Sequence, residues 1–284
     1  MKLDGKEIAK EIIEPLKKRT EKLKDKKIVP HLLIIMAIDD PRTKSYVKQK
    51  LLRAKQIGAK VTIKKVSEKV SEDNLLNLIR KANKDKKIHG IIIQRPLPKQ
   101  IHEDEIARAV AIQKDVDGFN PKSGFAAPVA LAILKLIEVS LRQRINDQKS
   151  DEMFEFLKSK KITVIGKGTT AGRPVINLLR KLNLNPKVID SKTKATEKEK
   201  ILKTSDIIIL AVGKKVLSVN QVKKGAFLIG IGMHAENEKL YGDYNEEEVK
   251  NKSSFYTPTP GGVGPVNVSM LMKNLVEACE NLSK

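Results

Sequence analysis

The chain has 284 residues, enough for one large α/β domain or for two ordinary ones with sizeable cores, and two is the expectation. Its 56 Lys and Arg against 34 Asp and Glu leave a net charge of +22, which would attract nucleic acid, acidic membranes or an anionic substrate. Most of these cations are Lys spread along the whole chain, with no Trp and few Tyr or Phe. A nucleic-acid surface concentrates its charge and uses Arg and aromatics, so a solvated surface is the expectation and nucleic acid is not.

A single cysteine, Cys279, excludes a disulfide framework and a thiolate metal cluster, and it points to a reducing compartment, the cytoplasm. The opening "MKLDGKEIAKEII" breaks its apolar positions with charge, unlike a signal peptide, and no apolar run approaches a membrane span.

In chain order, 4–25 reads as an amphipathic helix and "HLLIIMAI" (31–38) as a buried strand. Asp40 and Pro41 read as a helix cap and first helical residue, opening a helix that stops at Gly58. "KVTIKKV" (60–66), a helix at 72–85 and "HGIIIQ" (89–94) complete a β-α-β-α-β alternation, which implies parallel strands covered by helices. After a turn-rich loop at 114–124, a long helical stretch from about 128 to 158 leads to a second α/β unit, with the charged patch at 141–152 read as a surface insertion. That unit opens with "KITVIGKGTTAGRP" and continues through strands at 186–190, 206–212 and 226–231. A Pro/Gly loop, "SSFYTPTPGGVGP" (253–265), precedes a last helix at 266–283.

Stepping about 100° per residue from Tyr46 places Val47, Leu51, Ala54 and Ile57 with it in one apolar arc, and Lys50 falls inside that arc. Such a lysine either snorkels out of the helix edge or sits in a partly dry site, where desolvation lowers its pKa and fits it for proton transfer. Gln94 ends an apolar strand, where ligands of open α/β sheets collect, and either meets Lys50 or satisfies a turn. In "KDVDGFN" (114–120), an EF-hand beginning at Asp115 would need ligands at 119 and 126, which are Phe119 and Ala126, so no metal is expected. Asp117 either recognises a donor pair such as an aminopyrimidine or bonds backbone amides in its turn.

The turn "GKGTTAG" (166–172), between a strand and a helix, has the context of a dinucleotide fold, with glycines one residue wider than the usual fingerprint. Gly166, Lys167, Gly168, Thr169, Gly172 and Arg173 are its candidate cofactor residues, with Val212 and Gly213 at a later strand end. Asp190 suits a ribose 2′-hydroxyl and so NAD, whereas Ser191, Lys167 and Lys192 suit the 2′-phosphate of NADP. Cys279 reads as packing, and His234 as a loop residue.

Tyr46 and Lys50 after "DDPRTK", then "HGIIIQRPLP", "KDVDGFN", a glycine turn ending "GRP" and "TPTPGGVGP" together resemble, in order and spacing, the bifunctional methylenetetrahydrofolate dehydrogenase and methenyltetrahydrofolate cyclohydrolase family. The resemblance spans nearly the whole chain. It implies two three-layer α/β domains with a cleft between them: a folate-binding catalytic domain at 1–122, completed by the helix at 266–284, and a Rossmann-like NAD(P)-binding domain at 123–265. It implies oxidation of 5,10-methylenetetrahydrofolate with NADP, NAD being the alternative, then hydrolysis of the methenyl product to 10-formyltetrahydrofolate. It also implies a homodimer and, as partners, tetrahydrofolate derivatives with polyglutamate tails, which a lysine-rich rim would suit.

On that template Lys50 assists hydration and ring opening, Tyr46 packs on the pterin, Gln94 bonds Lys50 and Asp117 anchors the pterin amino group, while Gly261, Gly262 and Pro265 line the folate side. Four departures from the family pattern stand out: "FAAP" at 125–128, which puts Ala127 where a Thr is common; Gly166-Lys167-Gly168 for Gly-Arg-Ser; Arg95 after the glutamine; and the insertion at 141–152. Two rivals stay open at this point: a cyclohydrolase whose nucleotide site has decayed, and a lysine-rich polyanion binder on the same scaffold.

Overall fold

The structure, a computed structural model, describes residues 1–143, 150–236 and 239–284. The insertion read at 141–152 centres on 144–149, which lie outside the described residues. Contacts divide the chain into a first unit, residues 10–128 with 268–284, and a second unit, residues 1–9 with 129–267. Residues 1–9 join the second unit through backbone bonds: Leu3 N–H donates to Tyr256 O at 2.9 Å, and Tyr256 N–H donates to Met1 O at 3.0 Å.

The chain begins with α1 (Gly5–Asp25), β1 (His31–Met36), α2 (Pro41–Gln56), β2 (Lys60–Lys65), α3 (Glu72–Lys84), β3 (Gly90–Gln94) and α4 (Glu103–Ala109). The three strands form a parallel sheet in the order β2-β1-β3. Central β1 and its neighbour β3 are buried nearly throughout, which is why they read as unbroken apolar runs, whereas β2 on the other side of β1 alternates. Because β1 connects outward to β2 on one side and has β3 on the other, the chain reverses direction between β1 and β3. Ligands of open sheets bind outside such a reversal, at the carboxyl ends of the strands. Met36 and Gln94 are paired there.

The second unit contains α5 (Pro128–Arg142), α6 (Ser150–Lys158), β4 (Ile162–Ile165), α7 (Gly172–Lys181), β5 (Lys187–Ile189), α8 (Ala195–Thr204), β6 (Ile207–Leu210), β7 (Phe227–Gly230), a hairpin of β8 (His234–Glu236) and β9 (Lys239–Tyr241), α9 (Glu246–Val249) and β10 (Phe255–Tyr256). Five of these strands form a parallel sheet in the order β10-β7-β6-β4-β5, and its reversal lies between β4 and β6. The helical stretch expected over 128–158 is two helices, α5 and α6, on either side of 144–149. The last helix, α10 (Val263–Leu282), starts three residues earlier than expected. Pro265 sits in its first turn, where a missing N–H costs no helical bond.

The first unit's core joins Leu32, Ile34 and Ile92 of the sheet to Val47, Ala54 and Ile57 of α2 and to Leu271, Leu275, Val276 and Cys279 of α10. Cys279 is fully buried there, as a packing residue, and burial pushes its thiol up to about 11.

One lysine in this unit is structural. Lys114 Nζ donates to the carbonyls of Ala82, Asn83 and Asp85 at 3.2, 2.8 and 2.7 Å, closing the carboxyl end of α3. Lys114→Met is expected to leave these carbonyls unsatisfied and lower stability by about 2–4 kcal/mol, read by denaturant unfolding. An unchanged midpoint would reject this capping role.

Candidate active site

The phase of α2 is set at its start. Asp40 Oδ1 accepts from the Thr43 amide at 2.8 Å, and Pro41 occupies the first turn. Stepping by fours and threes from Thr43 gives Val47, Lys50, Ala54 and Ile57, one stripe toward the sheet. Thr43, Val47, Ala54 and Ile57 are buried, and Lys50 is half-buried among them. The buried stripe is narrower than the arc expected from sequence. Tyr46 is 44% exposed and Leu51 38%, because both sit off the line that faces the core.

Lys50 Nζ donates to Gln94 Oε1 at 2.9 Å, and Gln94 Nε2 donates to Arg95 O at 2.9 Å, which fixes the orientation of the amide. Gln94, the last residue of β3, is itself buried. Burial pushes the Lys50 pKa below the ordinary lysine value, and the charge of Asp117 opposes that shift. The contrast with Lys114 lies in the partners: three carbonyls hold that nitrogen in place, whereas among the described residues Lys50 bonds a neutral side-chain amide.

The loop after α4 divides its two acids between the two roles open to them. Asp115 is buried and accepts the Asn120 amide on Oδ2 at 2.8 Å, and burial pushes its pKa up to about 6. Among the described residues no hydrogen bond satisfies the half-buried Asp117 carboxylate, which is therefore available to a ligand with donors. Both acids line a small cavity with Ile93, Arg95 and Phe119. Arg95 is held away from Lys50 by two contacts: its guanidinium carbon lies 3.8 Å from the centre of the Phe119 ring, and its Nε donates to Glu103 at 3.2 Å. The charge felt by Lys50 is that of Asp117.

In the second unit the turn from β4 to α7 is packed as tightly as glycine permits. Gly166 has φ +92°, and a Cβ on Gly172 would lie 2.0 Å from Gly166 O. Gly168 faces open space, Ala171 at the start of α7 makes no side-chain cap and Pro174 has no N–H, so among the described residues the Gly172 amide is the one in the first turn of α7 left for a phosphate. Thr169 is half-buried and Arg173 exposed, with the Arg173 amide bonded to Gly168 O at 3.0 Å. These residues fit a dinucleotide pyrophosphate. Gly172→Ala is expected to force the turn open and weaken NADPH binding at least about tenfold, read by nicotinamide fluorescence; unchanged affinity would show that the turn does not hold the nucleotide.

Just beyond β5, Lys167 Nζ lies 2.6 Å from Asp190 Oδ2, and the Lys192 amide donates to Asp190 Oδ1 at 2.9 Å. The hydrogen bond from Lys167 holds the Asp190 carboxyl below its ordinary range. Ser191 and Lys192 stand exposed on the same turn.

Val212 and Gly213, after β6, are organised by a residue that local sequence does not single out. Asp243 is fully buried; its Oδ1 accepts the amides of Val212 and Gly213 at 3.2 and 2.7 Å, and its Oδ2 accepts that of Gly232 at 2.7 Å. Burial pushes its carboxyl up, against the backbone amides. The only local signal, "YGDY", reads as a turn. His234 opens β8 and stacks on Tyr241 at 5.8 Å, so it belongs to a hairpin and not to a loop.

Lys50 and Gln94 are thus bonded, with Asp117 acting on Lys50, and Tyr46 lies one turn before Lys50 on α2. Gly261, at φ +106°, Gly262 and Pro265 belong to the second unit.

The family model described as the tetrahydrofolate dehydrogenase/cyclohydrolase catalytic domain matches residues 3–117, and that of the same family's NAD(P)-binding domain matches residues 150–283. The bifunctional protein FolD of Listeria innocua is 33% identical over 99% of this chain and 98% of its own. The crystal structure of the bifunctional FolD methylenetetrahydrofolate dehydrogenase/cyclohydrolase from Campylobacter jejuni is 33% identical, covers 99% of both chains and superposes with a TM-score of 0.89. The Trypanosoma brucei FolD structure, complexed with NADP cofactor and inhibitor, is 25% identical over 100% of this chain and 98% of its own, also with a TM-score of 0.89. With both domain models matched in order and relatives aligned end to end, the chain belongs to the tetrahydrofolate dehydrogenase/cyclohydrolase family.

Proposed function

We propose that the chain carries both activities for which its family is named: oxidation of 5,10-methylenetetrahydrofolate to the methenyl cation with NADP, NAD being the alternative, and hydrolysis of that cation to 10-formyltetrahydrofolate. The observation that carries this reading is the half-buried Lys50, bonded to Gln94 and lowered in pKa by its surroundings, with the Asp117 carboxylate left for a ligand. We assign the folate chemistry to the first unit and nucleotide binding to the second.

Neutral Lys50 takes a proton from the water that forms a C–O bond to the methenyl carbon. The same ammonium then returns that proton to N5 as the C–N5 bond breaks, and the hydroxyl left on the carbon releases its remaining proton to solvent as the formyl C=O forms. Gln94 Oε1 fixes Nζ for both transfers, which is why a buried amide at the strand end serves better than a carboxylate that would keep Lys50 charged. Asp117 accepts from the pterin amino group, and Tyr46 packs against the ring. NADP, when bound, supplies the hydride acceptor; no protein base is needed for that step, only alignment. The cradle is Gly166, Lys167, Gly168, Thr169, Gly172 and Arg173, with Ser191, Lys192, Val212 and Gly213 beside it. We extend the reading to polyglutamylated folates, whose anionic tails suit the lysine-rich surface, to a homodimer, and to a cytoplasmic location in keeping with the single buried cysteine.

The test mixes purified protein with 5,10-methylenetetrahydrofolate and either NADP or NAD, following reduced cofactor and the methenyl chromophore separately. Reduced cofactor followed by loss of the methenyl compound is expected. No reduced cofactor from either nucleotide, with added methenyl compound still hydrolysed, would leave a cyclohydrolase alone; no turnover of either folate would reject the assignment.

A further inference from the structure

Dinucleotide folds discriminate at the adenosine ribose, where a carboxylate after the second strand accepts from a 2′-hydroxyl and a nearby cation instead accepts a 2′-phosphate. This chain has both at one point. Asp190 follows β5, its side chain is only 19% exposed, and its two oxygens are already engaged, Oδ2 by Lys167 Nζ at 2.6 Å and Oδ1 by the Lys192 amide at 2.9 Å. Thr193 supplies a further bond, its Oγ1 accepting the Asp190 amide at 3.1 Å. Lys167 belongs to the glycine turn and Asp190 to the strand end, so the ion pair ties together the two segments that flank the ribose.

The two cofactors make unequal demands on this pair. A carboxylate has about four lone-pair positions, so a 2′-hydroxyl can donate to Asp190 while Lys167 and the Lys192 amide keep their bonds. A 2′-phosphate brings about two negative charges, which must draw Lys167 away from Asp190 and then sit beside the carboxylate so uncovered. Ser191 and Lys192, exposed on the same turn, favour the phosphate and oppose that repulsion.

Resting on the nucleotide site proposed above, we propose that Asp190 is the selectivity residue of this chain, competing with the 2′-phosphate for Lys167 and biasing the site toward the unphosphorylated ribose. The family resemblance points to NADP, and the ion pair sets how strongly that preference is expressed.

The experiment measures the dissociation constants of NADPH and NADH, without folate, by nicotinamide fluorescence for the wild type, Asp190→Asn and Lys167→Met. Asn keeps an acceptor for the Lys192 amide while removing both the charge and the oxygen that Lys167 bonds; Lys167 is 61% exposed, so its replacement leaves the packing alone. Asp190→Asn is expected to shift the affinity ratio toward NADPH by about tenfold or more, since it removes a like charge from beside the 2′-phosphate, and Lys167→Met to shift it toward NADH. Both nucleotides bound with the ratio unmoved in Asp190→Asn would overturn the inference while leaving the nucleotide site standing. Failure of the wild type to bind either nucleotide would remove the site and the inference together.

Discussion

Replacing Lys50 with Met is expected to abolish hydration of the methenyl compound, a loss of about 10²–10⁴-fold if proton transfer is its role, while the fold and the hydride step survive. Methionine matches lysine in length and helix preference, and it sits well on a stripe whose other members are buried. Lys50→Arg adds a control, since a guanidinium stays protonated at any working pH and would fill the site without serving as a base. The pH dependence follows from the direction of the shift. Hydration needs the neutral amine, so its rate should rise with pH through a midpoint below the ordinary lysine value, and that slope should vanish in both variants.

Stability responds in the same window. Between its lowered pKa in the fold and its ordinary value in the unfolded chain, the unfolded state binds more protons, so wild-type stability gains with rising pH and is lost as pH falls through the folded value. Lys50→Met lacks that dependence. A folded Lys50→Met protein with full hydration activity would end the proposed role.

What the sequence disclosed and what it withheld divide along one physical line. Strands β1 and β3 are buried on both faces, so their apolar runs stand out locally, and the Asp40-Pro41 start of α2 is a local bond between neighbours. Gln94 could be placed at a strand end by counting. Periodicity could find the arc around Lys50 but not its width, since burial of Val47 and exposure of Tyr46 depend on where the sheet lies. Helix α4 was missed because "EDEIARA" is mostly charged and buries only Ile106 and Ala107. Lys114 and Asp243 escape a sequence reading for a stronger reason: their partners lie from 11 to some 30 residues away, and one more Lys or Gly-Asp pair carries no mark of what the fold brings to it.

Asp243→Ala is expected to cost the dehydrogenase about 10²-fold in kcat/KM, as misplacing a binding segment by about an ångström can, while hydration of added methenyl compound by the first unit is retained. The carboxylate binds two loops at once, Gly232 after β7 and Val212–Gly213 after β6, the latter bordering the sheet's reversal where a dinucleotide is expected. The loops meet so closely that a Cβ on Gly232 would lie 2.2 Å from the Gly213 nitrogen and 2.5 Å from Asp243 Oδ1. Burial raises the Asp243 pKa, so folding favours the protonated acid and stability is lost as pH rises through the raised value. Truncation therefore removes a cost while leaving amides unpaired at about 1–3 kcal/mol each, and the net stability change is smaller than the loss of the amide bonds alone. Asp243→Asn separates geometry from charge. Each oxygen of the aspartate accepts an N–H, so an amide must turn its own N–H₂ toward a donor whichever way it flips, and Asn should bind NADPH no better than Ala. Wild-type NADPH affinity in Asp243→Asn would show that the clasp does not position the nucleotide loops.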